Sequence, residues 1–181
     1  MPNIEIELTS VDFVTIGTIG PKGQRVFYLQ AGQEARIVSM TIEKEQSWAL
    51  SEAIRELIDD IDKRYDGETE VDLVDLDMDL REPIEPVFRV SQMGLGYDED
   101  RDLIVLVAQE FVPSQSDELD AEAEAEIDDP FDSDADDASP GVVRMWCSRE
   151  QMRALSMQAL DTVQSGRVNP KQNGRLVYYW T

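Results

Sequence analysis

A chain of 181 residues with 41% hydrophobic side chains can bury one sizeable core, and it is read as a single domain. Its formal charge of −23 argues against nucleic acid, no apolar run is long enough to span a membrane, and the opening residues lack the regions of a secretion signal, so a cytoplasmic protein is expected. The absence of histidine excludes Ser-His and Cys-His nucleophile pairs, and the lone Cys147 has no partner for an internal disulfide.

Residues 1–9 alternate Ile4, Ile6 and Leu8 with acids, which predicts an edge strand or an ordered arm. Residues 11–19 and 24–31 predict a hairpin whose turn chemistry comes from Gly17, Gly20, Pro21 and Gly23. Residues 36–42, with Ile37, Val38, Met40 and Ile42, predict a third strand. From Glu43 the period changes. Leu50, Ile54, Leu57, Ile58 and Ile61 recur every three or four residues, which predicts a helix that stops at Tyr65-Asp-Gly67, with Gly67 as its left-handed cap.

Residues 66–86 are an acidic connector in which Val71, Leu73, Val74 and Leu76 stand among carboxylates, and Pro83 and Pro86 limit regular structure. Residues 88–95 and 103–112 predict a second hairpin, joined by Gly96-Tyr-Asp-Glu-Asp100. An acidic insertion at 113–140 carries twelve acids and no base, the signature of a solvated, self-repelling loop. Residues 142–147 predict a strand, and Ser148-Arg-Glu-Gln151 is a capping-box pattern for a helix that carries Met152, Leu155, Ala159 and Val163 to Ser165-Gly166. The segment 167–181 ends in Arg175-Leu-Val-Tyr-Tyr-Trp-Thr181, read as a further strand or a docking segment because its aromatics are costly to leave in water.

The register repeats. Gly94 to Ala108 sets against Gly17 to Ala31 at an offset of 77, and Glu150-Gln151 to Leu155 sets against Glu45-Gln46 to Leu50 at an offset of 105. The reading is an α+β fold of internally duplicated β-β-β-α units, about 11–65 and 88–166. They would form a mainly antiparallel sheet with two helices packed on it around a pseudo-twofold axis.

The residues at 17–31, Ile-Glu-Lys-Glu-Gln at 42–46, Phe-Arg-Val at 88–90, Gly-Tyr-Asp-Glu-Asp at 96–100 and the strand-then-helix at 142–166 together resemble the bacterial family called domain of unknown function 3090. The resemblance covers roughly residues 11–174 and implies a bacterial, cytoplasmic protein, with no activity and no catalytic residue to carry over. Such proteins commonly continue after the last helix into a Cys-Pro-x-Cys-Gly segment and later His and Cys, which looks like a small zinc site. Here Gly166-Arg-Val-Asn-Pro-Lys-Gln-Asn-Gly174 keeps only its ends, and a tetrahedral nitrogen and sulfur site cannot be built within one chain.

No cofactor or metal is expected. Asp75-x-Asp77-x-Asp79 and Asp132-x-Asp134-x-Asp136 open like calcium loops but place Leu80 or Asp137 where Gly is needed and Pro86 or Val143 where a bidentate Glu belongs. Gly17-x-x-Gly20-x-x-Gly23 leads into a strand rather than a helix, so it reads as a turn and not a phosphate loop. Cys147, closing a strand, reads as a buried thiol. The candidate surface site is Gln24 and Arg25, expected to hydrogen-bond to the sheet or to the helix starts at Glu45 and Glu150. The leading functional expectation is a non-catalytic protein-binding or adaptor module whose acidic loops meet a basic partner. The alternatives are a single-stranded nucleic-acid platform using Phe27, Tyr28, Tyr178 and Trp180, and an enzyme of unrecognised type.

Overall fold

The computed structural model describes residues 4–21, 23–70, 76–112 and 139–165. The bulk of the acidic insertion, Val71 to Asp75 of the connector, Gly166 and the segment 167–181 lie outside them. In chain order the elements are β1 (Glu5–Leu8), β2 (Phe13–Ile19), β3 (Val26–Gln33), β4 (Arg36–Ile42), α1 (Lys44–Arg64), β5 (Pro86–Asp98), β6 (Leu103–Glu110), β7 (Val142–Cys147) and α2 (Arg149–Ser165). The seven strands form one sheet in the order β1-β7-β6-β5-β4-β3-β2. Four neighbouring pairs are antiparallel, and β4–β5 and β1–β7 are parallel. This is an α+β fold.

The two edges of that order are joined by only four residues, Thr9 to Asp12. Five Cα steps reach at most about 19 Å, whereas seven strands laid flat would separate their edges by about 29 Å. The sheet therefore curls, bringing its two edges toward each other across this join. The Val11 N–H donates to the Trp146 carbonyl on β7 at 3.0 Å, and the next N–H, from Asp12, donates to the Gly32 carbonyl on β3 at 2.7 Å.

Strand alternation decides which face is filled. Ile16, Leu29 and Met40 stand opposite one another along β2, β3 and β4, as do Leu106 and Met145 on β6 and β7, and all are fully buried. They share one cluster with Leu50, Ile54, Ile58 and Ile61 of α1 and with Met152, Leu155 and Ala159 of α2. On the other face, Thr15, Gln30 and Ser39 lie beneath the connector. Thr15 Oγ1 donates to the Met78 carbonyl at 2.6 Å, and the Gln30 carboxamide exchanges two 2.7 Å hydrogen bonds with the Arg81 backbone. The Arg81 guanidinium lies 3.8 Å over the Phe13 ring. Residues 76–81 are thus bound to the sheet.

The helices run antiparallel, because Ser47 meets Ala159 while Ser51 meets Ser156. Small side chains let them approach, and the hydroxyls are satisfied in the interface: Ser47 Oγ donates to the Ala159 carbonyl at 3.1 Å and Ser156 Oγ to the Ser51 carbonyl at 2.8 Å. Both helix starts use the same device. The Glu43 N–H donates to Gln46 Oε1 at 2.7 Å, and the Ser148 N–H to Gln151 Oε1 at 2.8 Å.

Three expectations need correction. The left-handed residue after α1 is Asp66, with φ 51°, and Gly67 follows it, its N–H donating to the Asp62 carbonyl at 2.9 Å. Gly17 is not a turn residue: it lies in the ladder opposite Tyr28, and an added Cβ would stand 2.6 Å from Cγ of Leu80 on the connector. The second hairpin turns later than predicted, with Gly96 in the ladder opposite Val105. Asp98 accepts the Asp100 and Arg101 N–H groups, and Asp102 takes the positive φ. Aspartates, not glycines, make that turn. In consequence Gly94 faces Val107, so the ungapped offset of 77 holds for β3 and β6 but not across the turns to β2 and β5.

Candidate functional site

The structure separates the predicted surface residues. Arg25 Nη1 donates to the carbonyl of Ser165 at 3.3 Å, at the end of α2. Glu150 sits exposed in the first turn of that helix, about 22 Å away at 1.5 Å per residue. Glu45 is exposed on the first turn of α1, and the Gln24 N–H closes the β2–β3 turn on the Pro21 carbonyl at 2.9 Å. Arg25 lines an open notch of about 510 Å³ at the start of α1, together with Phe27, Glu43, Lys44 and Arg89. Arg89 is paired to Glu43 within it. Phe27, a residue behind the nucleic-acid alternative, is buried, with 7% of its surface exposed at this notch. Tyr178 and Trp180 lie outside the described residues.

A second cluster joins the helices. Asp62, whose side chain is 11% exposed, accepts the Thr69 N–H at 2.8 Å and the Thr69 hydroxyl at 2.6 Å, and it lies 3.5 Å from both Arg149 and Arg153. Burial works against its charge, but the Thr69 hydrogen bonds and the two guanidinium groups outweigh it and hold the carboxyl below its usual range. Arg149 also faces Asp102: Nη2 donates to Oδ2 at 3.1 Å, while Nε stands 2.9 Å from Oδ1 but off the line of its N–H, leaving that proton without an acceptor. Tyr97 donates to Asp102 at 2.8 Å, and burial together with that carboxylate pushes its phenol up to about 12. Asp62, Arg149 and Arg153 each face an opposite charge, and together they clamp α2 to α1.

The third feature is a groove of about 280 Å³ between α1 and β5, lined by Ala49, Leu50 and Ala53 on the helix and by Met93, Gly94 and Leu95 on the strand. Beyond Arg89, β5 has β6 on one side and no strand on the other among the described residues. The same situation arises on β2, which among the described residues pairs only with β3. There α2 closes the edge: Gln151 Nε2 donates to the Val11 carbonyl at 2.9 Å, and Gln158 Nε2, two turns on, donates to the Ile16 carbonyl at 3.2 Å. On α1, Gln46 Nε2 donates to the carbonyls of Val90 and Ser91. Two turns on from Gln46 stands Ala53, which has no side chain to reach the strand. Val14 and Ile16 are accordingly buried under α2, while Met93 and Leu95 remain half-exposed beside α1.

A family described as a protein of unknown function, DUF3090, matches residues 6–172, from β1 through α2. The chain belongs to the DUF3090 family. A search of the curated proteins and one of the solved structures each found no match. In this DUF3090 chain the thiol of Cys147 is fully buried and burial alone pushes it up, so it stays protonated and shielded from reagents at neutral pH. Among the described residues, no helix is long and apolar enough to cross a membrane, and no three acidic or thiol groups converge as metal ligands. Asp77, of the calcium-like spacing, accepts the Asp79 N–H at 3.0 Å.

The groove was missed at the sequence level, although its signal was present. The 105-residue offset that aligns Gln46 with Gln151 also sets Ala53 against Gln158.

Proposed function

We propose that this DUF3090 chain is a non-catalytic protein-binding module that takes an extended segment of its partner as an added strand along β5. The observation behind this reading is the edge of β5 beside the α1 groove, which has no neighbouring strand among the described residues, set against the edge of β2, which α2 closes with Gln158. An added strand gains affinity from main-chain hydrogen bonds to the edge, and alternate side chains enter the groove against Ala49, Ala53, Met93 and Leu95. Glu45, Glu52 and Glu56 stand one turn from the groove-lining alanines, so a segment with basic residues flanking an apolar run fits best. The acidic insertion at 113–140 adds attraction for the same kind of partner.

The test is selection of a displayed peptide library on the full chain, with Ala53→Gln as the counter-screen. Gln is a good helix former, so the variant keeps α1 while placing a carboxamide where α2 carries Gln158. Peptides rich in β-branched and aromatic residues with basic flanks, bound by the native chain and at least tenfold more weakly by Ala53→Gln, are the expected result. Selection of no peptide that distinguishes the two proteins would refute the reading.

A further inference from the structure

We propose that the notch at the start of α1 binds a small organic phosphate, at a site separate from the β5 groove. The notch encloses about 510 Å³, and three bases from three elements line it: Arg25 just before β3, Lys44 of α1 and Arg89 of β5. Their charges meet only the one carboxylate of Glu43 among the lining residues, so the notch is net positive on a chain of net charge −23. Glu43 is paired to Arg89. Neither Arg25 nor Lys44 forms an ion pair among the described residues. Arg25 donates to the carbonyl of Ser165, a neutral group that leaves its charge uncompensated.

The start of α2 shows the corresponding positions with opposite charges. Lys44 is the first residue of α1, behind the Gln46 cap, as Arg149 is the first residue of α2, behind the Gln151 cap. Arg25 immediately precedes β3 as Asp102 immediately precedes β6, at the offset of 77 that these two strands keep. At α2 the leading cation is matched: Arg149 stands 2.9 Å from Asp102 and 3.5 Å from Asp62. At α1 the place of Asp102 is taken by Arg25, so an attractive pair becomes two like charges lining one notch. A cation at the first residue of a helix also opposes the helix dipole. The chain supplies the anion at α2, and a ligand would supply it at α1.

Charge and shape choose the class of anion. A phosphate monoester carries close to two negative charges at neutral pH and three terminal oxygens, which suits two guanidinium groups and an ammonium better than a carboxylate does. The notch also has an apolar wall, formed by Val26, which is 42% exposed, and by the edges of Phe27 and Ile42. Its volume falls in the range of about 300–1,000 Å³ usual for small-molecule sites and exceeds what a bare phosphate fills. The organic part of the ligand lies against that wall.

Two measurements on the full chain test the proposal. In the first, phenyl phosphate is titrated calorimetrically at fixed ionic strength, with benzoate as its carboxylate counterpart. Saturable binding of phenyl phosphate is expected, with benzoate at least about tenfold weaker. Lys44→Gln and Arg25→Gln should each weaken phenyl phosphate at least about tenfold, because each removes a charged hydrogen-bond donor. Gln is a good helix former, so Lys44→Gln keeps the start of α1. No saturable binding up to about 10 mM, equal binding of benzoate, or binding that Lys44→Gln leaves unchanged would overturn the proposal. In the second, thermal unfolding is followed with phenyl phosphate and with sodium chloride at equal ionic strength. A midpoint that rises with phenyl phosphate alone is expected, and an equal rise in sodium chloride would reduce the effect to screening and overturn the proposal. Lys44→Glu gives the notch a carboxylate of its own. It should abolish the phosphate-dependent rise while raising the midpoint of the ligand-free chain, and a lower ligand-free midpoint would overturn the argument from like charges.

Discussion

Replacing Asp62 with alanine isolates the clamp between the helices. The substitution removes two hydrogen bonds from Thr69 and one of the two carboxylates facing each of Arg149 and Arg153, while Asp102 and Asp59 keep hold of those arginines. A hydrogen bond to a charged group is worth about 1.5–3 kcal/mol, and breaking a fully buried pair costs about 3–5. Because both arginines retain a second partner, the expected loss lies below that sum, at about 2–3 kcal/mol. At a urea slope of about 2 kcal/mol per molar, the unfolding midpoint falls by about 1 M. Asp62→Asn keeps an acceptor for Thr69 and loses only the charge, so about half of that loss is expected. The pH dependence has a definite sign. The folded carboxyl lies below its ordinary value of 3.8, so its contribution is complete above about pH 5 and disappears as the pH falls through the folded value. Urea unfolding followed by circular dichroism should therefore show a gap between native and Asp62→Asn that is constant from pH 5 to 8 and closes toward pH 2. A gap below about 0.5 kcal/mol at pH 7, or one that persists undiminished at pH 2, would refute this account of the clamp.

Two further outcomes follow from packing. Gly32→Ala places a Cβ 2.3 Å from the Phe13 ring, which Arg81 covers from the connector, so a loss of about 1–3 kcal/mol in thermal unfolding is expected, whereas Gly94→Ala, in open space, should be neutral or slightly stabilising. Cys147, buried with its thiol pushed up, should react with a maleimide at pH 8 only as fast as the chain opens; labelling in native buffer at the rate of a free thiol would contradict its burial.

Local chemistry made much of this fold legible. The strand Arg36–Ile42 and the buried row Leu50, Ile54, Ile58 and Ile61 follow from periodicity, and the Ser148 and Gln151 cap from spacing. Ser47, Ser51, Ser156 and Thr162 did not stand out, because a polar residue on a helix reads as solvent-facing until a second helix supplies its acceptor. Gly17 reads as a turn residue because glycine is ambiguous between a left-handed backbone and room for a neighbour, and that neighbour, Leu80, lies 63 residues away in the chain. The candidate site was harder still. Arg25, a partly exposed side chain expected to bond to the sheet or to a helix start, donates instead to the end of α2. The groove depends on what Ala53 does not reach, and a short side chain announces nothing until the strand edge beside it is seen to lack a neighbour among the described residues.

The four-residue join between β1 and β2 also bears on how the molecule is assembled. Glu5 and its partner Arg144 are 139 positions apart, so β1 cannot take its place in the sheet until β7 has been synthesised. Contacts at that separation slow folding, because the loop must be closed before any pairing rewards it. Until β7 arrives, β1 has no partner strand, and the charges of Glu5 and Glu7 along it disfavour pairing with another chain.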